Sequence, residues 1–410
     1  MDIFMKVSII SIGDELLSGF TINTNATWIG QELLKCGIII DRQITVGDNS
    51  ELIINQIDRC IQSSEIILLT GGLGPTHDDV TSIALYKYFE DKPIFDSEYW
   101  KNIEKYFTKR ALSVPDINKN QALKSVKGKM IPNSLGSARG LHYNIKKTEI
   151  FAMPGVPYEM KSMMSKYIIP KLKSRVNNNL FINTLNTIGK GESSIAEQLE
   201  PIVAPYLKVC SVSYLPQIAG VDIRISSRDK KRLSELKDKI KHEIGDCLYS
   251  EKNEAIENIL GALLSKNMMT LSVAESCTGG LLGHTISSVS GSSKYFVGGI
   301  VAYSNKIKRD ILGVKEKTLT KFGAVSKQTA IEMAQKIRNL FLTDIGISVT
   351  GIAGPTGGTS EKPVGLVYIG LSSVNKKFAK KYMFHGDRDI ITHRTKQAAM
   401  ELVRRDLLGD

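Results

Sequence analysis

Two stretches near the amino terminus decide the fold class: KVSIISIG at residues 6–13 and EIILLTGG at residues 65–72. Each is an apolar, β-branched run that ends at glycine, which is typical of a strand buried on both faces of a sheet. Between them, NTNATWIGQELLKCG (23–37) has capping asparagines, apolar residues at helical spacing and a terminal glycine, and a second helix is predicted at 50–62. Strands that alternate with helices in this way predict an α/β fold with a parallel sheet.

The chain has 410 residues, enough for two or three domains. We expect the first domain at 1–170, because the following stretch is basic and rich in turn residues. Residues 171–250 predict a small α+β module, with the strand VDIRIS (221–226) and a charged helix at 229–248. Residues 251–410 return to alternating strands and helices and predict a second α/β domain.

The net charge of +12 is unevenly distributed. Residues 1–170 carry 19 basic and 19 acidic side chains, whereas residues 251–410 carry 22 and 14. A neutral first domain argues against nucleic-acid binding over the whole surface of the protein. The excess of positive charge elsewhere suits the binding of anionic small molecules or a local basic patch.

The five cysteines are scattered, with no CxxC pair and no cysteine–histidine cluster. This pattern excludes a zinc ribbon and argues against a disulfide framework. No run of 18 uncharged apolar residues occurs, and the apolar amino terminus is interrupted by Asp14 and Glu15. We therefore expect a soluble, cytoplasmic protein with no membrane partner.

The first chemical motif in the third domain is AESCTGG (274–280), at a predicted strand-to-helix junction. Ser276 and Cys277 precede a glycine-rich helix start, where free backbone N–H groups stabilise a nucleophile or bind an anion. The alternative is a helix cap followed by packing glycines.

Two further motifs lie at neighbouring strand ends. VAYSNKIKRD (301–310) presents Tyr303 and Lys308, and a lysine desolvated beside a hydroxyl serves as a general base. VTGIAGPTGG (349–358) places Thr350 ahead of a glycine-rich loop that allows close backbone approach to a phosphate or oxyanion. The alternatives are a solvated lysine and an ordinary loop, but three such clusters in one domain favour a site.

These motifs, together with FGAVS and HGDRD, closely resemble the carboxyl-terminal domain of the CinA family. SIGDELLSGFTINTNATWIG, LLTGGLGPTHDDVT and FAMPGVPYEM match the amino-terminal half of the family, and GKGES and GVDIRIS match its middle module. The resemblance covers essentially all of the chain in the family's order.

For the third domain, the resemblance implies a cofactor-independent deamidase that converts nicotinamide mononucleotide to nicotinate mononucleotide and ammonia. Ser276 would be the nucleophile and Lys308 the general base, with Tyr303, Thr350 and Arg388 completing the site. None of the histidines falls within AESCTGG, VAYSNKIKRD or VTGIAGPTGG, which favours a serine–lysine arrangement over a Ser-His-Asp triad. Cys277 is the rival nucleophile, since thiols are intrinsically better nucleophiles.

Substrate contacts in this domain are expected from Arg388, Gly351, Gly354 and Gly279. Arg388 would bind the 5′-phosphate, and the Gly351 N–H, with Thr350, would contact the oxyanion or substrate. The alternative for Arg388 is an ion pair with Asp387 or Asp389.

The first domain resembles the molybdopterin-binding fold, which in the CinA family is associated with metal-dependent ADP-ribose pyrophosphatase activity. The expected ligands of Mg²⁺ or a similar divalent ion are Asp14, Glu15, Asp78 and Asp79. The expected contacts to substrate are Gly71, Gly72, Gly74, Asn23 and Asn25. The alternatives are that these residues cap the following helices, or that the domain binds a molybdopterin or nucleotide without turnover.

One loop departs from the family. NSLGSARG (133–140) carries Arg139 where proline is usual. Arg139 would either favour a phosphate in the site or mark a non-catalytic domain.

The middle module resembles a KH-type fold, which in other proteins binds nucleic acid. It has no GxxG loop flanked by basic residues, and its charged helix mixes signs. We therefore expect a structural connector. The family resemblance implies a homodimer, with nucleotides as the partners of the protein. The alternative function, a DNA-uptake or competence accessory factor, would need a basic stripe that the sequence does not show.

Overall fold

The computed structural model describes residues 5–175 and 180–409. The chain divides into two compact units, Met1–Phe181 and Ile182–Asp410. The turn-rich stretch at 168–181, where the sequence suggests the first domain boundary, includes residues 176–179, which lie outside the described residues. Each unit is built around its own sheets.

The strands of the first unit are β1 Val7–Ile12, β2 Ile40–Val46, β3 Ile66–Thr70, β4 Ile94–Phe95, β5 Leu123–Lys124, β6 Lys129–Ile131, β7 Gly140–Ile145 and β8 Thr148–Met153. Its helices are α1 Asp14–Leu17, α2 Thr24–Lys35, α3 Ser50–Ile61, α4 Thr81–Tyr88, α5 Ser97–Thr108, α6 Pro157–Met163 and α7 Ile169–Lys173. The predicted strands and helices of the first 70 residues are confirmed.

The main sheet of the first unit has the order β2-β1-β3-β8-β7-β6. Strands β2, β1, β3 and β8 are parallel, as expected. Strands β7 and β6 extend the sheet in antiparallel fashion, because only two residues separate β7 from β8 and so short a connection permits only a hairpin.

The central strands of this sheet are buried on both faces. Val7 and Ile9 belong to one apolar core, whereas Ile10 and Ile12 belong to the core on the other side. Successive side chains of a strand point to opposite faces, so a strand covered on both sides must be apolar throughout. This constraint explains the unbroken runs in the sequence.

The second unit begins with the middle module, whose strands and helices are β9 Phe181–Thr187, α8 Glu192–Val203, β10 Cys210–Pro216, β11 Val221–Ser227, α9 Lys230–Ile244 and β12 Leu248–Ser250. The sheet order is β10-β11-β9-β12. In β11 the residues Val221, Ile223 and Ile225 are buried while their neighbours are partly exposed. This alternation is typical of a sheet with one covered face.

The remainder of the second unit contains the elements α10 Ile256–Lys266, β13 Leu271–Glu275, α11 Leu281–Ser287, β14 Phe296–Val301, α12 Asn305–Asp310, α13 Glu316–Phe322, α14 Lys327–Phe341, β15 Ile345–Gly351, β16 Leu366–Ser372, β17 Lys377–Met383 and α15 Arg388–Leu408. The sheet order is β14-β13-β15-β16-β17, with β14, β13 and β15 parallel. The carboxyl ends of these three strands therefore lie at one edge. The edge strand β17 escaped the sequence analysis, because its lysines obscure the apolar alternation.

The predicted mixed α/β architecture is confirmed: a parallel-rich first sheet, a small α+β module and a carboxyl-terminal α/β domain. Within residues 5–175 and 180–409, no helix is both long enough and apolar enough to cross a lipid bilayer.

Candidate active sites

The carboxyl-terminal domain brings Ser276 and Lys308 into direct contact. Ser276 follows β13 and its N–H donates to the Val349 carbonyl on β15, 3.0 Å away. Lys308 lies on α12, which starts just beyond the end of β14 and is capped by the Ser304 side chain. Its Nζ lies 2.9 Å from Ser276 Oγ. Two predicted residues separated by 32 positions thus meet at the shared edge of β13 and β14.

The amine of Lys308 is almost fully buried, with 1% of the residue exposed. Besides Ser276 Oγ, Nζ contacts the carbonyl oxygens of Ala302 (2.8 Å) and Tyr303 (3.1 Å). Burial lowers the pKa of Lys308 to about 8, because desolvation disfavours the ammonium form. In the neutral amine the two carbonyls accept its two N–H bonds, which leaves the lone pair for the Ser276 hydroxyl.

Cys277, the rival nucleophile, is buried in the apolar core of this domain. Burial raises the pKa of its thiol to about 12. The thiolate is the reactive form of cysteine, so this residue is poorly suited to attack a substrate near neutral pH.

Glu275 is a buried residue that the sequence analysis did not single out. Its carboxylate accepts hydrogen bonds from the backbone N–H groups of Gly280, Leu282 and Gly283 at 2.7–3.0 Å. These N–H groups at the start of α11 were expected to be free for a nucleophile or an anion, and that expectation was wrong for these three. The signal was the glutamate in AESCTGG, directly before the predicted nucleophile.

Arg388 joins the two other motifs. Its guanidinium donates to the Gly354 carbonyl and to the Tyr303 hydroxyl, each at 2.9 Å. Asp387 does not pair with it, because the Asp387 side chain caps α15 by accepting from the Ile390 N–H. The arginine therefore links the loop after β14 to the glycine-rich loop after β15.

Thr350 forms a structural hydrogen bond, two of the predicted glycines are needed for packing, and the third borders open space. The Thr350 hydroxyl donates to the Ala324 carbonyl at 2.8 Å, which ties the end of β15 to the loop before α14. A side chain at Gly351 would meet Val367 and Leu366, and one at Gly354 would meet Val364, so both positions require glycine for packing. Gly279 has a φ of +60° and no atom within 4 Å of where a Cβ would lie, so it borders open space.

In the first unit, Asp14 and Glu15 follow β1 as expected, and Asp48, which the sequence analysis missed, lies beside them. Asp14 and Asp48 each accept a hydrogen bond from the other's backbone N–H, at 3.2 and 2.9 Å. Burial raises the pKa of Asp48, and the charges of Asp14, Glu15 and Asp78 raise it further. These four carboxylates repel one another, which is the situation that a bound cation relieves. The signal for Asp48 was its position just after β2.

Asp79 holds its own loop together. Its carboxylate accepts from the Gly74 N–H (2.7 Å), the Thr76 N–H (2.9 Å) and the Thr76 hydroxyl. A Cβ at Gly74 would lie 2.3 Å from this carboxylate. The side chain thus makes the contacts of a loop cap, whereas Asp78 is exposed.

Asn23 and Asn25 also make structural contacts. Asn23 caps α2 by accepting from the Ala26 N–H and donates to Ser11 Oγ. Asn25 is buried, donates to Thr70 Oγ1 and to the Gly155 carbonyl, and has no hydrogen-bond partner for its Oδ1 among the residues that the structure describes.

Gly71 and Gly72 are required by the backbone. Both have positive φ, and a Cβ would lie 2.1 Å from the Ile12 carbonyl oxygen at Gly71 and 2.5 Å from Thr81 Oγ1 at Gly72. The Gly71 N–H donates to the Met153 carbonyl at 3.0 Å, so it is not available to a phosphate as the sequence analysis expected.

A cleft of about 500 Å³ lies at these strand ends, and Asp14, Asn23 and Asn25 do not line it. Its wall includes Gly13, Glu15, Asp48, Gly74, Asp78 and Glu159. Glu159 is buried, and burial raises the pKa of its carboxyl group above the usual value. It accepts a hydrogen bond from Asn133, which also holds the loop that contains Arg139. Glu159 was missed although it stands in the motif FAMPGVPYEM.

Arg139 makes an ion pair and does not extend into this cleft. Its guanidinium lies 2.8 Å from Asp96 Oδ2, stacks 3.7 Å above the Tyr99 ring and donates to the Leu123 carbonyl. Only 8% of its side chain is exposed. The charge of Arg139 is therefore already compensated, and the departure from the family pattern has a structural explanation.

Within residues 5–175 and 180–409, no three histidine, cysteine, aspartate or glutamate side chains are arranged to hold a metal ion. The carboxylates around Asp48 would therefore need oxygen ligands from a bound substrate.

Comparison with known proteins gives three matches along the chain. The CinA C-terminal domain matches residues 253–407, the CinA KH domain of damage-inducible proteins matches 183–250, and a domain described as a probable molybdopterin binding domain matches 8–174. A CinA-like protein of Kosmotoga olearia is 41% identical, over 98% of this chain and 99% of its own length. The chain belongs to the CinA family.

Other relatives agree with this assignment. A CinA-like protein of Salinibacter ruber is 36% identical over 98% of this chain and all of its own length. The crystal structure of the competence/damage inducible protein CihA from Agrobacterium tumefaciens is 38% identical, with a TM-score of 0.36, and covers 38% of this chain and 97% of that protein. The family resemblance noted from the motifs is confirmed.

The buried ion pair of Arg139 leads to a prediction about the stability of the first unit. Arg139→Met leaves Asp96 without its partner, and we expect the first unit to lose about 3 kcal/mol of unfolding free energy. Both tryptophans, Trp28 and Trp100, lie in this unit, so urea unfolding followed by tryptophan fluorescence reports on it.

Arg110→Met is the matched control. Arg110 stacks at the same 3.7 Å over Tyr106 but is exposed. We expect a loss below about 1 kcal/mol there, and equal losses in the two variants would contradict the role of the Asp96 pair.

Proposed function

We propose that the carboxyl-terminal domain hydrolyses the amide of nicotinamide mononucleotide to give nicotinate mononucleotide and ammonia. The observation that carries the proposal is the contact between the buried amine of Lys308 and the hydroxyl of Ser276. A serine needs a base to become a nucleophile, and an amine with a lowered pKa supplies one without histidine.

In the proposed first step, the Ser276 oxygen attacks the amide carbon while its proton moves to the lone pair of Lys308. The tetrahedral intermediate then collapses as the C–N bond breaks, and the lysine ammonium returns the proton to the departing ammonia. Water, deprotonated by the same amine, then attacks the acyl-serine ester. The bond between the acyl carbon and the Ser276 oxygen breaks, the lysine ammonium returns the proton to that oxygen, and nicotinate mononucleotide is released.

The guanidinium of Arg388 supports recognition of an anionic substrate. Arg388 lies between the Tyr303 hydroxyl and the Gly354 carbonyl and remains solvent-accessible. We propose that it binds the 5′-phosphate, since planar guanidinium groups pair well with phosphate oxygens.

Removal of either reactive group should abolish ammonia release. We expect Ser276→Ala and Lys308→Met each to lower kcat by at least about a thousandfold, because the first removes the nucleophile and the second removes the base that activates it. Ammonia production from nicotinamide mononucleotide by the full chain is the measurement.

Neighbouring residues provide the controls for this experiment. Cys277→Ala and Lys306→Met, which changes an exposed lysine on the same helix, should keep activity within about threefold. Full activity of Ser276→Ala, or loss only in Cys277→Ala, would contradict the assignment.

The pH profile should reveal the amine. Because the neutral form of Lys308 is the base, we expect kcat/KM to rise with pH and to level off above about 8. About a tenth of the amine is neutral at pH 7 when its pKa is 8. A rate independent of pH between 6 and 9 would be inconsistent with this base.

We further propose that the first unit hydrolyses the pyrophosphate of ADP-ribose with a divalent cation. The supporting observation is that Glu15, Asp48 and Asp78 line one cleft, and that the charges of Asp14, Glu15 and Asp78 help to raise the pKa of Asp48. Because no three of these side chains are arranged around one point in the described residues, two of them would contact the ion, phosphate oxygens would complete its shell, and the ion would neutralise charge on the phosphates. The contacts of Asp79 favour a loop-holding role over a metal ligand.

A carboxylate substitution tests the second activity. Asp48→Asn should lower Mg²⁺-dependent release of AMP from ADP-ribose by at least about a hundredfold. Asp116→Asn, at an exposed ion pair in the same unit, is the control and should be neutral. Binding of ADP-ribose without cleavage by the unmodified chain would favour the alternative, a ligand-binding domain without turnover.

A further inference from the structure

The second unit contains a cleft of about 750 Å³ that no proposed activity uses. Its wall comes from the loop 188–192 before α8, the turn 216–221 between β10 and β11, the edge strand β17 and the helix α15. The cleft thus lies between the middle module and the carboxyl-terminal domain, within one compact unit. Its volume is in the range of small-molecule sites.

Cations predominate along the wall: Lys190, Lys380, Arg394 and Arg405, against Glu192 and Glu401. The Glu401 carboxylate is compensated, because it accepts hydrogen bonds from both Arg404 and Arg405. Lys380 is exposed on β17 and forms no ion pair within the described part of the chain. The wall therefore favours an anion.

The same wall carries an aromatic pair. Tyr382 and Phe384 stack with ring centroids 5.4 Å apart and planes 16° from parallel, and both are only half-buried. Lys380, Tyr382 and Phe384 alternate along the chain, so they share one face of the extended strand. Cation and ring surface thus lie side by side.

The loop 188–192 leaves room for a ligand. Gly189 has a φ of +87°, and neither Gly189 nor Gly191 has an atom within 4 Å of where a Cβ would lie. Lys190 stands between these two glycines, and its amine contacts Gln198 Oε1 at 2.7 Å. This loop presents backbone and a lysine to open space.

We propose that this cleft binds a small phosphorylated compound with a planar ring, of the nucleoside monophosphate class. The phosphate pairs with the lysines, and the ring packs against Tyr382 and Phe384. A cationic side chain beside an aromatic surface is the combination that recognises both parts of such a molecule.

The cleft is connected to the deamidase site, so on the proposed function its occupancy alters deamidation. Arg394 donates to the Ile218 carbonyl in the turn (2.7 Å) and to the His385 carbonyl in the loop that precedes Arg388 (2.9 Å). An anion that attracts the Arg394 guanidinium competes with both carbonyls. The loop that precedes Arg388 then loses the hydrogen bond from Arg394 to the His385 carbonyl.

A second connection runs through Phe384. Its N–H donates to the Gly365 carbonyl, and the Gly365 N–H donates to the Ile352 carbonyl, at 2.9 and 2.8 Å. Ile352 belongs to the glycine-rich loop whose Gly354 carbonyl accepts from Arg388. Two chains of contacts therefore lead from the cleft wall to the same arginine.

The test is calorimetric titration of the full chain with AMP, comparing Lys380→Glu with Lys381→Glu. The two variants change the net charge equally on adjacent exposed residues of β17, but Lys381 points to the opposite face and does not line the cleft. We expect Lys380→Glu to weaken AMP binding about tenfold and Lys381→Glu less than about twofold. If AMP bound elsewhere in the chain, the two substitutions would change its affinity equally.

Inorganic phosphate and adenosine separate the two halves of the ligand. Each alone should bind at least about tenfold more weakly than AMP, since it engages only the lysines or only the rings. Absence of any AMP binding at millimolar concentration, or equal weakening in the two variants, would overturn the proposed site.

The connection to the deamidase site has its own readout. AMP should shift the KM for nicotinamide mononucleotide in the unmodified chain and in Lys381→Glu but not in Lys380→Glu. AMP that binds in the cleft without shifting KM would overturn the coupling. A chain that binds AMP there but releases no ammonia would refute the proposed deamidase and leave the site standing.

Discussion

The burial of one amine determines how the carboxyl-terminal site is organised. An ammonium group without solvent is costly, so Lys308 must satisfy Nζ with the Ala302 and Tyr303 carbonyls and the Ser276 hydroxyl. Those partners are supplied by the ends of β13 and β14 and are reached only because α12 starts directly after β14. The same burial that lowers the pKa of the lysine raises that of Cys277, so one apolar environment favours the serine over the thiol.

Polar residues at strand ends serve two purposes in this chain, and the structure separates them. Asp79 and Glu275 hold backbone N–H groups of their own loops, as do many side chains in such positions. Asp48 and Asp14 also accept backbone N–H groups, but the charges of Asp14, Glu15 and Asp78 in addition raise the pKa of Asp48. Residue type and position are the same in both groups, and only the charges that surround each carboxylate distinguish a loop cap from a candidate ligand.

Much of the fold was predictable, because burial on both faces imposes unbroken apolar runs and helices impose a 3.6-residue period. That reasoning located β1, β3 and β13 as well as the helices α2, α3 and α11. It missed β17, where lysines cover an edge strand, and the hairpin of β7 and β8, whose antiparallel direction follows from a connection of two residues. It offered a phosphate contact or a non-catalytic domain as explanations of Arg139, and it did not foresee the ion pair with Asp96.

The sequence by itself determined the family, the succession of the three domains along the chain and the motifs that supply Ser276 and Lys308. These features can be recognised from short stretches of sequence, without knowing which distant segments come into contact. Tertiary structure alone decided which of those residues meet. The distance of 2.9 Å between Lys308 and Ser276, the loss of three helix N–H groups to Glu275 and the cationic cleft beside β17 all depend on segments far apart in the chain. Burial and hydrogen-bond partners arise from that packing, and they set the charge state of each side chain.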